Sequence, residues 1–130
     1  MTRTVVDGMN VIGARPDGWW RDRDRAARRL LGRLQRAAIR TDDVLTLVLD
    51  GRPAPGLAEG NHGGVDLRYA RRSGRDAADD RIVELVTAET DPAGLRVVTS
   101  DRDLAERVLT LGATTEGAGT FLRRLDRLGV

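Results

Sequence analysis

The chain has neither cysteine nor lysine, and only one histidine, one phenylalanine and one tyrosine among 130 residues. Without cysteine it can form no disulfide, thiolate nucleophile or zinc ribbon. The lone histidine sits in Gly60-Asn61-His62-Gly63-Gly64. It argues against a nucleophilic triad and reads as a loop residue. No long apolar run is present, so no membrane span is expected. Met1-Thr2-Arg3-Thr4 leads straight into a strand-like run, so no secretory leader is expected and the default location is cytoplasmic. All 22 basic residues are arginine, which accounts for a pI near 10.2 at a net charge of only +2. Guanidinium keeps its charge where lysine would titrate, so that pI is weak testimony for a nucleic-acid partner.

A chain of this length fits one domain over residues 1–130 with a single buried core. Short β-like runs alternate with helical periods. Residues 4–6 read as a first strand, with Met9, Val11 and Ile12 in the turn after it. Over 21–40, Ala26, Ala27, Leu30, Leu31, Leu34, Ala37 and Ala38 form one apolar stripe opposite a face of arginines. Trp19 and Trp20 precede that helix; they could stack on bases, and at least one is expected to pack the flank of the sheet. Val44–Leu49 is apolar but for Thr46, as a central parallel strand covered on both faces should be.

Residues 51–64 carry Pro53, Pro55 and five glycines and read as a long loop. Residues 65–70 alternate with period two, which suits an edge strand, and 71–75 form a basic loop. A helix is expected over 76–89 with Asp76 as its cap, a strand over 95–99, a helix over 101–111, a short strand at 113–115 and a last helix through Phe121, Leu125 and Leu128. The order β-α-β-β-α-β-α-β-α predicts an α/β three-layer domain with a mainly parallel sheet.

Four aspartates stand where these runs end or a helix begins: Asp7, Asp50, Asp79 and Asp101. Each has an ordinary explanation by itself. Asp-Gly turns end strands, and aspartates cap helices or sit favourably in a first helical turn. Together they are harder to explain as caps, because α/β sheets build their sites beyond the carboxyl ends of the strands. Carboxylates crowded there repel one another, and hard oxygen ligands of this kind suit Mg²⁺ or Mn²⁺. Such an ion activates water and stabilises charge on a phosphoryl group. Arg68, Arg71, Arg72 and Arg75 lie nearer this acidic edge than the arginines of 21–40, and are the better candidates for steering a polyanion.

The segments Asp7-Gly8-Met9-Asn10-Val11-Ile12, Leu49-Asp50-Gly51, Ala78-Asp79-Asp80-Arg81-Ile82-Val83 and Val97-Val98-Thr99-Ser100-Asp101 resemble, in order and spacing, the PIN-like NYN-domain ribonucleases of the bacterial YacP-like branch. The resemblance implies a PIN-like α/β/α fold and divalent-metal-dependent endonucleolytic cleavage of RNA, with mRNA or the ribosome as candidate partners. Carried over by position, Asp7, Asp50, Asp79 and Asp101 are the metal-holding acids. Asn10 matches the asparagine after the first strand, and Ser100 the small hydroxyl residue before the last acid. Asp80 and Asp103 are extra acids beside them, and Asn10, Ser100, Arg71 and Arg72 are expected to contact substrate. One departure is Thr115-Glu116-Gly117-Ala118-Gly119-Thr120, where this branch often continues into a further polar motif; it bears on substrate selection.

Rival enzyme classes fare worse. A Toprim enzyme needs a glutamate after the first strand and a haloacid-type phosphatase an Asp-x-Asp there; Asp7-Gly8-Met9 supplies neither. A phosphorelay receiver lacks its lysine. The alternative from another class is a non-catalytic RNA- or ribosome-binding module of the same fold.

Overall fold

A computed structural model describes residues 2–74 and 76–130, so Arg75 of the basic cluster and Met1 lie outside the described residues. The elements are β1 (Arg3–Asp7), α1 (Gly8–Gly13), α2 (Arg23–Arg40), β2 (Val44–Leu49), β3 (Gly60–His62), β4 (Val65–Tyr69), α3 (Ala77–Thr87), β5 (Leu95–Val98), α4 (Arg102–Thr110), β6 (Thr114–Glu116) and α5 (Ala118–Leu128), with 3₁₀ turns at Trp19–Arg21 and Pro92–Gly94. One six-stranded sheet runs in the order β3-β4-β2-β1-β5-β6. Every pairing is parallel except that of β3 with β4.

Helices cover both faces of the sheet, and strand alternation divides the core between them. Val6, Leu45, Leu47, Leu49 and Val98 pack with the buried stripe of α2 (Leu30, Leu31, Leu34, Ala37) and with Ala118, Phe121, Leu122 and Leu125 of α5. Val5, Val48 and Val97 pack the other way, against Ile82 and Val86 of α3 and Leu104 and Val108 of α4. The central strands are therefore apolar on both faces over Val5-Val6, Leu47–Leu49 and Val97-Val98, where neither face meets water. Among the described residues no helix is long and apolar enough to cross a membrane.

Three sequence expectations need correction. The segment after β1 is a helix, α1, with Val11 and Ile12 buried. It starts without a linker because residue 8 is glycine: a Cβ there would lie 2.6 Å from Leu49 Cδ2 and 2.8 Å from the Val48 carbonyl oxygen. The loop after β2 contains a strand, β3, which pairs antiparallel with β4 and so moves β4 off the edge. The turn that makes this possible is Gly63-Gly64, with φ of 59° and 89°. Two consecutive positive φ values make the tight two-residue hairpin loop that glycine favours. Finally, Asp76 makes no side-chain cap on α3, whereas Asp101 caps α4, its Oδ1 accepting from Leu104 N at 3.0 Å.

Candidate functional site

Strand order fixes where a site can form. The chain steps from β1 to β2, β4 and β3 on one side, then returns to place β5 and β6 on the other. The reversal lies between β1 and β5, and beyond its carboxyl ends the covering loops separate and leave a crevice. Asp7 closes β1 at this point and is only 5% exposed. Asp101 follows β5 across the same gap, and Asp79 reaches the edge from the first turn of α3.

Thr99 ties these pieces together. Its backbone N–H donates to Glu116 O at 2.9 Å, carrying the β5–β6 pairing one residue further. Its Oγ1 donates to Asp7 Oδ2 at 2.9 Å and accepts from Asp101 N at 3.1 Å. One hydroxyl thus orients the buried carboxylate and the backbone that carries the next acid. Asn10 and Ser100 extend the scaffold. Asn10 Oδ1 accepts from Ser100 N at 2.8 Å, and Ser100 Oγ accepts from Ala118 N at 2.9 Å, joining the loop to the start of α5. Both residues expected to touch substrate therefore also hold the loops around the acids.

Electrostatics separates this group from ordinary helix caps. Burial pushes the Asp7 carboxyl up to about 6; the Thr99 hydrogen bond opposes the rise, while the charges of Asp79 and Asp101 add to it. Asp79 is also pushed up to about 6, first by burial and then by Asp101 and Asp76, with Arg107 working against the shift. Asp7 thus feels the charges of Asp79 and Asp101, and Asp79 that of Asp101, at one edge. Such repulsion is what a bound cation would relieve.

Asp50 stands apart. It is exposed, and its nearest ionic partner is Arg23 Nη2 at 3.6 Å, on the α2 side of the edge. It borders a cleft with Met9, Leu49, Arg52 and Tyr69 and does not appear among the charges that perturb Asp7 or Asp79. Among the described residues, no three carboxylate or histidine side chains are gathered closely enough to cage a metal by themselves. In donor type the acids do fit such an ion: they are hard oxygens, and two of them are held protonated up to about pH 6 by burial and repulsion.

The arginines by the edge are already engaged. Asp80 pairs with Arg72 and, at 3.1 Å, with Arg107; Arg71 Nε donates to Glu84 Oε2 at 2.7 Å. Arg81, which sequence reading did not single out, is buried between Glu59 at 3.7 Å and Glu84 at 3.6 Å. His62, expected in a loop, instead ends β3 opposite Val65, and its Nε2 donates to Ala58 O at 2.6 Å. Thr99 is the other residue that was missed. Its signal was available: a polar side chain directly after the buried pair Val97-Val98, beside Ser100-Asp101.

A sequence model of the YacP-like NYN domain matches residues 4–129. The chain belongs to the YacP-like NYN domain family. All four resembling segments fall inside that match. No curated protein matches the chain. Among solved structures, Rae1 (YacP) from Bacillus subtilis superposes with a TM-score of 0.80 at 24% identity, covering 99% of this chain and 76% of that one. A mutant of that protein gives 0.79 at 24% identity over 99% and 77%. At such identity the likeness carries the fold. In this six-stranded sheet Asp79 and Asp101 act on the charge of Asp7 at the β1–β5 edge, and Asp50 lies to one side.

Proposed function

We propose that this NYN domain is a cytoplasmic, divalent-metal-dependent endoribonuclease that hydrolyses RNA phosphodiester bonds at the carboxyl edge of its sheet. The observation that carries the reading is the placement of Asp7, Asp79 and Asp101 at one edge, with Asp7 and Asp79 each pushed up to about 6 by burial and by neighbouring carboxylates. A fold keeps repelling carboxylates at a switch point when something positively charged compensates them. Family membership supports RNA as the substrate.

Asp7, Asp79 and Asp101 would hold Mg²⁺ or Mn²⁺, which when bound supplies water activation and neutralises charge on the phosphoryl group. The remaining work falls to the protein. Thr99 Oγ1 keeps the Asp7 carboxylate in one orientation and lowers its proton affinity. Asn10, through Ser100 N, and Ser100, through Ala118 N, hold the loop that carries Asp101. Arg71 and Arg72 would meet the RNA backbone by exchanging their carboxylate partners Glu84 and Asp80 for phosphate. Asp50 would act from the rim once released by Arg23.

The test is cleavage of structured and single-stranded RNA with Mg²⁺, Mn²⁺ and chelator compared, using wild type and Asp7→Asn. Metal-dependent cutting that the variant loses while staying folded supports the assignment. Equal cutting by both sinks it. The second reading, a non-catalytic RNA- or ribosome-binding module, draws on the position of Asp50 outside the acid group. It predicts RNA binding by both proteins and cleavage by neither.

A further inference from the structure

The arginines of α2 divide into two sets. One set is used internally: Arg23 faces Asp50 at 3.6 Å, Arg28 donates to Pro55 O at 2.6 Å, Arg33 donates to Asp126 and Val130 O at 2.8 Å, and Arg40 donates to Leu128 O. The other set comprises Arg25, Arg29 and Arg36, with Arg21 just before the helix. All four are exposed, and their guanidinium groups make no hydrogen bond or ion pair among the described residues. The nearby acids are occupied or turned aside. Asp17 Oδ1 accepts from Trp19 N at 3.2 Å, Asp22 Oδ1 accepts from Arg25 N at 3.0 Å, and Asp24 lines the cleft on the Leu57 and Tyr69 side.

Position turns the free set into a surface. Arg25, Arg29 and Arg36 stand at i, i+4 and i+11, on one face of the helix, with Gly32 between them leaving the stripe unobstructed. At about 1.5 Å of rise per residue the stripe is roughly 16 Å long, a length that spans several phosphates of a single strand. At its start stands Trp20, 53% exposed, with its ring edge-on to Trp19 at 6.0 Å and 88°. Trp19 packs against the core, so it braces an indole that is about half open to solvent. Free guanidinium groups along a helix, with an exposed indole in the turn just before it, are the kind of features by which proteins hold unpaired nucleic acid.

We propose that the solvent face of α2 is a second RNA-binding surface, in which Arg21, Arg25, Arg29 and Arg36 hold backbone phosphates and Trp20 stacks on a base. It takes single-stranded RNA, and it rests on the reading of the domain as an RNA enzyme. The carboxyl edge lies at the start of this helix, where Arg23 meets Asp50, so a strand leaving the acids has a basic track to follow along the α2 layer.

The experiment measures binding of a fluorescent single-stranded RNA of about twenty nucleotides across a salt series, with chelator present to prevent cutting. Wild type is compared with Arg25→Gln/Arg29→Gln/Arg36→Gln and with Trp20→Ala, all at exposed positions. With about 0.7 counterions released per phosphate, loss of three contacts should lower the slope of log K against log salt by about 2 and weaken binding roughly tenfold or more at low salt. Trp20→Ala should weaken binding about fivefold or more and abolish the quenching of tryptophan emission by RNA. Unchanged affinity and slope in the triple variant, with wild type binding and cutting RNA, overturn this surface and leave the proposed function standing. A wild type that neither binds nor cuts RNA overturns both. Polyglutamate bound as tightly as RNA, and lost with the same variants, would reveal a general cation face and would also overturn the proposal.

Discussion

Replacing Asp7 by asparagine should stabilise the metal-free protein at the same time as it abolishes cleavage. Asp7 is buried, and its carboxyl is pushed from the ordinary 3.8 up to about 6 by burial and by Asp79 and Asp101, against the opposing bond from Thr99. At about 1.36 kcal/mol per tenfold change in proton affinity, holding this group ionised costs the fold roughly 3 kcal/mol at pH 8. The sign follows from linkage. The folded state binds the proton more tightly than the unfolded chain, so stability rises as pH falls from about 6, and the gain is complete below the ordinary carboxyl value. Asparagine carries no charge, and its Oδ1 can still accept from Thr99 Oγ1. The variant should therefore exceed wild type by about 2–3 kcal/mol at pH 8 in chelator, by about half that at pH 5, and by little at pH 4. Urea denaturation at the three pH values measures the gap. A variant less stable than wild type at pH 8, or a gap that ignores pH, would refute the claim that Asp7 is an electrostatically frustrated carboxylate.

Other predictions follow from neighbouring contacts. Asp101→Asn keeps a side-chain acceptor for Leu104 N, now met at 3.0 Å, so its metal-free stability should stay within about 1 kcal/mol of wild type while its metal-induced rise in Tm shrinks; an undiminished rise would remove Asp101 from the ligand set. Thr99→Val deletes both the 2.9 Å bond to Asp7 and the 3.1 Å bond from Asp101 N, so it should cost about 1–3 kcal/mol. Because Thr99 lowers the Asp7 proton affinity, the acid limb of the cleavage profile should also move to higher pH, readable from rates between pH 5 and about 8. Asp50→Asn, at an exposed residue paired with Arg23 at 3.6 Å, should slow cleavage by no more than about tenfold, far less than Asp7→Asn; an equal loss in single-turnover assays would put Asp50 among the central acids. Gly8→Ala forces a Cβ to 2.8 Å from the Val48 carbonyl oxygen and should lose about 1–3 kcal/mol in urea, since backbone cannot rotate away.

How legible the fold was depended on whether each segment's partners were local. The stripe Leu30, Leu31, Leu34, Ala37 marked α2 because one helix face must meet the sheet, and the run Val44–Leu49 marked β2 because both its faces are covered. The segments α1 and β3 were harder. A six-residue helix shows too few turns to display a period, and Gly60–His62 has no strand composition; its pairing is set by the hairpin turn at Gly63-Gly64 and by β4 beside it. Thr99 is marked in the sequence as a polar residue after Val97-Val98, but its partner Asp7 is 92 positions away and spacing does not reveal that contact.

The sequence by itself determined the class of the domain, the alternation of its elements, the family, and the four aspartates as the residues to ask about, because hydrophobic period and local motif need only neighbouring residues. The tertiary structure alone decided how those acids are grouped. It gathered Asp7, Asp79 and Asp101 at the reversal between β1 and β5 and set Asp50 beside Arg23. It likewise sorted one run of arginines into those holding the fold together and those left facing water. Both outcomes depend on which distant groups are brought within a few ångströms, and spacing along the chain does not encode that distance.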